Sequence, residues 1–223
     1  MIWIIFIALT VISFIVSKNV EAKFKKYAKI ATNGHMTGRD VAEKMLYDND
    51  IHNVTIREVN GTLTDHYNPT DRTLNLSSDV YHGTSVAAAA VAAHECGHAV
   101  QHATAYSWLR LRSTLVPMVS FTSKWVSWVL LAGILLVQKF PNLLLIGICL
   151  FALSTLFTLV TLPVEINASK RALVWLNTRD ITTADTHPYA EKALRSAAYT
   201  YVMAALTSLA TLFYYIMIYM DRR

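Results

Sequence analysis

Residues 85–103 read SVAAAAVAAHECGHAVQHA, and this alanine-rich stretch decides the fold around it. Alanine has the highest intrinsic helix propensity, and the stretch contains no helix breaker apart from Gly97. Small side chains also allow neighbouring helices to approach closely. The sequence therefore predicts a buried helix over residues 85–103.

Residues 94–98, HECGH, place two histidines four positions apart on this predicted helix. Positions four apart share a helix face, so His94 and His98 can offer two nitrogen ligands to one zinc ion. Zinc lowers the pKa of a bound water from about 15.7 to about 7, and Glu95 could take that proton as general base and pass it to a leaving amine. Chance would give about 0.008 such motifs in a chain of this composition, so a zinc site is the favoured explanation.

A catalytic zinc site needs a third protein ligand and an open fourth position. The extended motif HExxHxxGxxH is not present, because Gln101 and Thr104 stand where it requires glycine and histidine. His102 lies near the same helix face, but one straight helix cannot easily wrap three ligands around an ion. A packing or supporting role is therefore favoured for His102.

Glu165 is the favoured third ligand. It is the only Asp or Glu between Glu95 and Asp180, and it follows Pro163 at the end of an apolar run. An interfacial charge at the end of a membrane helix is the alternative interpretation of this carboxylate. Ser169, about one helical turn later, could hydrogen-bond one of the ligand histidines.

Composition and apolar runs predict an integral membrane protein that is mainly α-helical. Apolar residues make up 54% of the chain and charged residues only 16%, which argues against both a disordered chain and an ordinary soluble domain. Four runs, at residues 1–16, 115–137, 143–163 and 197–220, predict about four transmembrane helices. The first run lacks the positive start and small-residue cleavage site of a signal peptide, so a retained anchor is expected. Lys124 interrupts the second run and could snorkel to the interface.

These runs divide the chain into five segments. They are a first transmembrane helix (1–17), a catalytic α+β segment (18–114), a transmembrane hairpin (115–163), a segment with the third ligand (164–196) and a last transmembrane helix (197–223). The lysines that follow the first helix place the catalytic segments in the cytoplasm by the positive-inside rule. The net charge of +5 accordingly indicates membrane orientation in a lipid bilayer rather than nucleic-acid binding.

The sequence of the catalytic segment also predicts a short antiparallel sheet beside the active-site helix. Residues 37–40, TGRD, form a capping box that opens an amphipathic helix. Strands are predicted over residues 54–59 and 63–67, joined by a hairpin turn at Asn60-Gly61, and a third over 72–77. The third strand alternates as an edge strand would, so a substrate peptide is expected to bind in extended form along residues 72–77.

Several blocks of the chain resemble the YugP-type membrane zinc metallopeptidases of bacteria. They are GTLTDHYNP (61–69), LSS (76–78), SVAA (85–88), AAHECGHAVQ (92–101), LPVEINAS (162–169) and TYV (200–202). More distantly the chain is similar to the HtpX and CAAX prenyl protease group, in which the third ligand is the glutamate of an ExxxD motif. Ser169 stands where that group has its aspartate.

This resemblance implies a zincin-like catalytic domain of the gluzincin type in the bacterial inner membrane. It carries over His94, His98 and Glu165 as ligands of one Zn²⁺ per chain and Glu95 as the base. The favoured hypothesis is a membrane-embedded zinc metalloendopeptidase that acts on peptide or protein substrates.

Two other functions are possible for such a chain: a catalytically degenerate membrane scaffold and a zinc-dependent transport protein. The intact Glu95 argues against a scaffold, and a transporter should carry several ionisable residues within its apolar runs, where only Lys124 occurs. Four side chains are candidates for stabilising the oxyanion, and the sequence does not choose among them: His66, Arg171, His187 and Tyr201. Asp65 and its neighbours are expected to have a structural role near the helix, and Cys96 to be a packed residue rather than a ligand.

Overall fold

The computed structural model describes residues 2–221, and the chain divides into two compact units. The first unit comprises Met1–Phe14, Ser107–Pro163 and Thr200–Arg223, and the second comprises Ile15–Tyr106 and Val164–Tyr199. The helices are α1 (Ile2–Tyr27), α2 (Gly38–Asp48), α3 (Ser78–Tyr81), α4 (Val86–Ala103), α5 (Ser107–Ser123), α6 (Val126–Leu135), α7 (Pro141–Thr178) and α8 (His187–Asp221). The strands are β1 (Thr55–Val59), β2 (His66–Asn68) and β3 (Thr73–Ser77), and Asn33–His35 forms a 3₁₀ turn.

Three helices are long and apolar enough to cross a membrane: α1 from Ile4 onward, α7 and α8. They correspond to the first, third and fourth predicted spans. The second predicted span is broken, because α5 and α6 meet at an angle of 49° around Lys124 and Trp125. Among residues 2–221 the structure therefore has three candidate spans, or four if the bent pair counts as one.

The membrane helices continue beyond the apolar runs that predicted them. Helix α7 passes through Pro163 without a break and ends only at Thr178, so Glu165 lies inside a helix rather than after its end. Helix α8 begins at His187, and α1 extends to Tyr27. Hydropathy marks only the part of a helix that faces lipid, whereas the backbone hydrogen bonds continue into the polar segments.

The small sheet has three strands, as predicted, but its topology differs from the prediction. The strand order is β1-β3-β2, with β1 parallel and β2 antiparallel to β3, so the sheet is mixed rather than antiparallel. The predicted hairpin at Asn60-Gly61 is wrong, because β1 and β2 both pair with β3 and not with each other.

The prediction that residues 72–77 form an edge strand, open to a substrate peptide, is also wrong. Strand β3 is central and carries a partner on each side, and all five of its residues are buried. Its polar side chains can be buried because neighbouring residues supply their hydrogen-bond partners. The Asn75 side-chain amide donates to the Thr73 hydroxyl at 3.0 Å. The Ser77 N–H donates to the Asp65 carboxylate at 2.7 Å.

Helix α4 lies at the centre of the core of the second unit, as its alanine content predicted. The Ser85 hydroxyl caps it by accepting from the Ala88 N–H at 3.2 Å, and the alanines of its first half are buried. Helix α2 packs against it with a buried face that includes Val41 and Met45. The predicted capping box of α2 is confirmed, with Thr37 as N-cap.

Candidate metal centre

Helices α4 and α7 bring together the three residues that the sequence indicated as zinc ligands. The Glu165 Oε2 atom lies 3.2 Å from His94 Nε2 and 3.5 Å from His98 Nε2. One ligand atom from each of the three residues lies within 4.8 Å of the other two. The carboxylate of Glu165 is buried and both imidazoles are nearly so.

The chemistry and spacing of this group fit a zinc ion. Two imidazole nitrogens and one carboxylate oxygen form the His₂Glu donor set of catalytic zinc sites. Ligand atoms about 2.0–2.1 Å from a tetrahedral ion are about 3.3–3.4 Å apart. The two distances to Glu165 lie on either side of that value.

The close approach of α4 and α7 depends on Gly97, inside the motif. A β-carbon at this position would lie only 2.7 Å from the backbone oxygen of Ala168 on α7. Ala168, whose backbone lies against Gly97, is completely buried. The glycine therefore permits the backbone contact that places Glu165 opposite the two histidines.

Each histidine of this group has a polar partner at its second ring nitrogen. The Ser169 hydroxyl lies 3.1 Å from His94 Nδ1, which confirms the predicted contact between Ser169 and a histidine of the motif. His98 Nδ1 lies 3.0 Å from the amide oxygen of Gln101. Such contacts fix the orientation and tautomer of a metal-binding imidazole.

Gln101 contacts the candidate site in a way that the sequence did not reveal. Its side chain is completely buried, and its amide nitrogen donates to the Val164 carbonyl at 2.8 Å and to Asn167 Oδ1 at 3.0 Å. Because the nitrogen faces two acceptors, the amide oxygen must accept from His98, which leaves the Nε2 lone pair of that ring for the metal. The signal that could have found it is its position three residues after His98, on the same helix face.

Glu95 is oriented by the sheet rather than by the histidines. Its Oε2 atom accepts a hydrogen bond of 3.0 Å from the Tyr67 backbone N–H on β2. Burial raises the pKa of Glu95 above the usual range of a glutamate, although His94 and His98 oppose this effect. A carboxylate with a raised pKa is a stronger base than an ordinary glutamate.

His102 and the oxyanion candidates lie outside the group of three ligands. His102 Nδ1 is 2.8 Å from the Tyr67 hydroxyl, which fits the supporting role favoured above. His66 contacts the Thr64 carbonyl at 2.8 Å, and His187 contacts the Thr182 hydroxyl at 2.9 Å. Arg171 Nε donates to Asn167 at 2.8 Å, and Tyr201 lies on α8 in the other compact unit.

Asp65 and Cys96 lie outside the group of His94, His98 and Glu165, and Cys96 is a packed residue, as predicted. Asp65 accepts from both the N–H and the hydroxyl of Ser77, which ties the start of β2 to β3, and burial raises its pKa. Cys96 is completely buried, with its sulfur 3.7 Å from the Ala42 carbonyl on α2. Burial also raises the pKa of the Cys96 thiol.

Comparison with known proteins identifies the family. The sequence profile of the family described as "putative neutral zinc metallopeptidase" matches residues 2–220. The chain belongs to this family. It is also 40% identical over 223 residues to "Putative membrane protease YugP" of Bacillus subtilis (strain 168), with 98% of each chain covered. The resemblance to the YugP-type metallopeptidases is thereby confirmed, and no solved structure matches the chain.

Proposed function

We propose that this chain is a zinc-dependent endopeptidase embedded in a membrane. His94, His98 and Glu165 hold one zinc ion, and Glu95 is the general base. The observation that supports this most strongly is the convergence of two imidazole nitrogens and a buried carboxylate between α4 and α7, in a chain of a zinc metallopeptidase family.

Zinc bound to such a donor set supplies a water nucleophile near neutral pH and polarises the carbonyl of the scissile bond. Glu95 accepts the proton of the attacking water and then donates it to the nitrogen of the leaving amine, so its carboxylate is regenerated. The hydrogen bond from the Tyr67 N–H holds Glu95 Oε2, which leaves Oε1 for proton transfer.

Gln101 and Ser169 keep the two imidazoles in the form that binds a metal. Each contacts the Nδ1 atom of a ligand histidine, so the Nε2 atoms are directed toward Glu165. Both residues thus position ligands without contacting the substrate.

We propose that the substrate backbone binds along β2, since β3, the strand predicted to bind it, is central in the sheet. Of the two edge strands, β2 is the one that contacts α4, through Tyr67 to both Glu95 and His102. A photoreactive benzoylphenylalanine at Tyr67 should crosslink to a bound peptide, whereas the same group at the exposed Arg57 on β1 should not. Equal crosslinking from both positions would rule out β2 as the substrate strand.

The catalytic segments are proposed to face the cytoplasm, because lysines cluster after the first apolar run. A cysteine introduced at Asn33 should then be protected from an impermeant thiol reagent in intact cells and become labelled after lysis. Labelling of intact cells would reverse the orientation.

The peptidase proposal is tested with the purified full-length chain and an unfolded protein substrate. Hydrolysis should stop when a chelator removes the metal and return when about one equivalent of zinc is restored. Zinc-loaded protein that leaves a broad set of unfolded substrates intact would favour a scaffold or a transport function. Hydrolysis that survives complete chelation would contradict the zinc mechanism.

A further inference from the structure

A small cavity in the second unit lies between the end of α1, the connection from β1 to β2 and the first half of α4. Its volume is about 190 Å³, which is less than the roughly 300–1,000 Å³ of sites that hold a whole small molecule. Apolar residues from three parts of the chain line it: Phe24, Ala28, Leu63, Val80, Ala87 and Val91. A cavity of this size and lining suits one apolar side chain rather than a complete ligand.

Helix α4 places this cavity beside the metal centre. Successive spacings of four, three and four positions put four of its residues on one helix face: Ala87, Val91, His94 and His98. Along the helix axis, Val91 lies about 4.5 Å and Ala87 about 10.5 Å from His94. An extended peptide advances about 3.3 Å per residue, so a peptide held at the metal centre reaches the cavity about one to three residues from its scissile bond.

The connection that precedes β2 places the cavity beside the same centre from the other side. Leu63 and Asp65 line the cavity just before β2, and the Tyr67 N–H on β2 holds Glu95. Leu63 is 58% exposed, with a left-handed backbone (φ 58°) that is unfavourable for a bulky residue. A peptide bound along β2, as proposed above, passes this leucine, and an apolar side chain that enters the cavity covers it.

The charges at the cavity disfavour one class of side chain. Two carboxylates line it, those of Asp65 and Asp79. The lysine in the lining, Lys25, is already paired with Glu21 at 2.9 Å. An aspartate or glutamate of the substrate would therefore meet like charge here without a free cation to compensate it.

We propose that this cavity is a substrate subsite that receives one medium-sized apolar side chain, such as leucine, and rejects acidic ones. The proposal rests on the peptidase function and names the class of substrate that the metal centre acts on. It also gives the end of α1 a part in specificity, because Phe24 and Ala28 form one wall of the subsite.

Ala28 is the position at which the subsite is best tested. It is exposed and directly follows the last residue of α1, so Ala28→Leu fills the cavity without replacing a core residue. The matched control is Ala22→Leu, an identical change at an exposed position of α1 that does not line the cavity. Leu63→Gly is a second variant, since glycine suits the left-handed backbone while the apolar contact is lost.

The experiment measures binding of labelled peptides to the zinc-loaded full chain in detergent by fluorescence anisotropy. The chain carries Glu95→Gln, so that affinity is read without turnover. An alanine-based peptide with one leucine should bind at least about tenfold more tightly than the same peptide with alanine or glutamate at that position. Ala28→Leu should reduce this preference to within about twofold, Leu63→Gly should weaken leucine binding about fivefold, and Ala22→Leu should change neither.

Hydrolysis by the wild type supplies a second readout. When the leucine is moved along the peptide, the cleaved bond should move with it at a constant distance of about one to three residues. Equal binding of the leucine, alanine and glutamate peptides would overturn the subsite. A leucine preference that survives Ala28→Leu, or is lost equally in Ala22→Leu, would also overturn it. Leucine-selective binding without any hydrolysis by the wild type would support the subsite and contradict the peptidase function.

Discussion

Gln101 is the buried amide that joins α4 to α7 behind the metal centre, and replacing it with leucine tests how the histidines are held. Leucine has a similar volume but cannot hydrogen-bond. The change removes the acceptor of His98 Nδ1 and the donor to the Val164 carbonyl and Asn167. The imidazole of His98 is then free to turn or to change tautomer, so we expect a specific loss of zinc affinity.

The magnitude follows from the contacts that are lost. Replacing a residue that supports a metal ligand typically weakens metal affinity by 10–100-fold, about 1.4–2.7 kcal/mol. One buried donor, the Nδ1–H of His98, also loses its partner, at about 1–3 kcal/mol, whereas the Val164 carbonyl keeps its hydrogen bond within α7. The added apolar surface of leucine offsets part of this, so the free energy of unfolding should fall by about 1–3 kcal/mol.

A control variant separates zinc affinity from stability. Val86 is completely buried on α4, two turns before the motif, and Val86→Ala should cost about 2 kcal/mol through lost burial and a small cavity. The assay is competition for zinc with a chromophoric chelator, alongside thermal unfolding of both variants. Gln101→Leu should show the weakened zinc affinity and Val86→Ala should not. Equal zinc affinity in the two variants would refute the role assigned to Gln101.

Three further substitutions address the rest of the site. Glu165→Ala should lower the zinc content of the purified protein, measured by mass spectrometry of the metal, because two histidines alone hold zinc poorly. Full zinc content and full activity in this variant would favour His102 as the third ligand instead. Gly97→Ala should lower the thermal unfolding midpoint by the equivalent of about 1–3 kcal/mol and reduce zinc binding, because the new methyl group meets the α7 backbone. An unchanged midpoint would show that α4 and α7 can separate without loss. Ser169→Ala should weaken zinc affinity about tenfold or more in the same chelator competition, and an unchanged affinity would make its contact with the ligand histidine incidental.

Local patterns predicted the features that depend on few neighbours. The bounds of α4 follow to within one residue from helix propensity, and the capping box of α2 follows from the spacing of Thr37 and Asp40. The three candidate spans follow from composition alone. These features are set within one element, so a single sequence contains enough information to place them.

The sheet topology could not be predicted because strand partners are chosen by tertiary packing. Asn60-Gly61 is a strong turn signal, yet the chain after it does not return along β1. The alternation of Leu74 and Leu76 suggested a half-exposed edge, but Asn75 is also buried, through a hydrogen bond to Thr73. Burial of polar side chains depends on partners that the alternation pattern does not show.

In the candidate site, too, features set within one helix are easier to predict than contacts between helices. The spacing of His94 and His98 predicted that they share a helix face, whereas the pairing with Glu165 joins residues 71 positions apart and rested on elimination and family resemblance. The sequence does not indicate the contacts of Gln101, because a buried glutamine has no motif of its own. Its role becomes visible only when α7 supplies the Val164 carbonyl and Asn167 as acceptors.

The central claim is that one set of residues holds the zinc while Glu95 transfers the proton, and Glu95→Gln separates these two roles. Glutamine is nearly the same size and can still accept a hydrogen bond from the Tyr67 N–H, but it cannot accept the proton of water. The measurement is zinc content and peptide hydrolysis on the same purified sample. We predict normal zinc stoichiometry with hydrolysis reduced at least about 10³-fold. Hydrolysis within about tenfold of the wild type, or loss of zinc together with activity, would contradict the account.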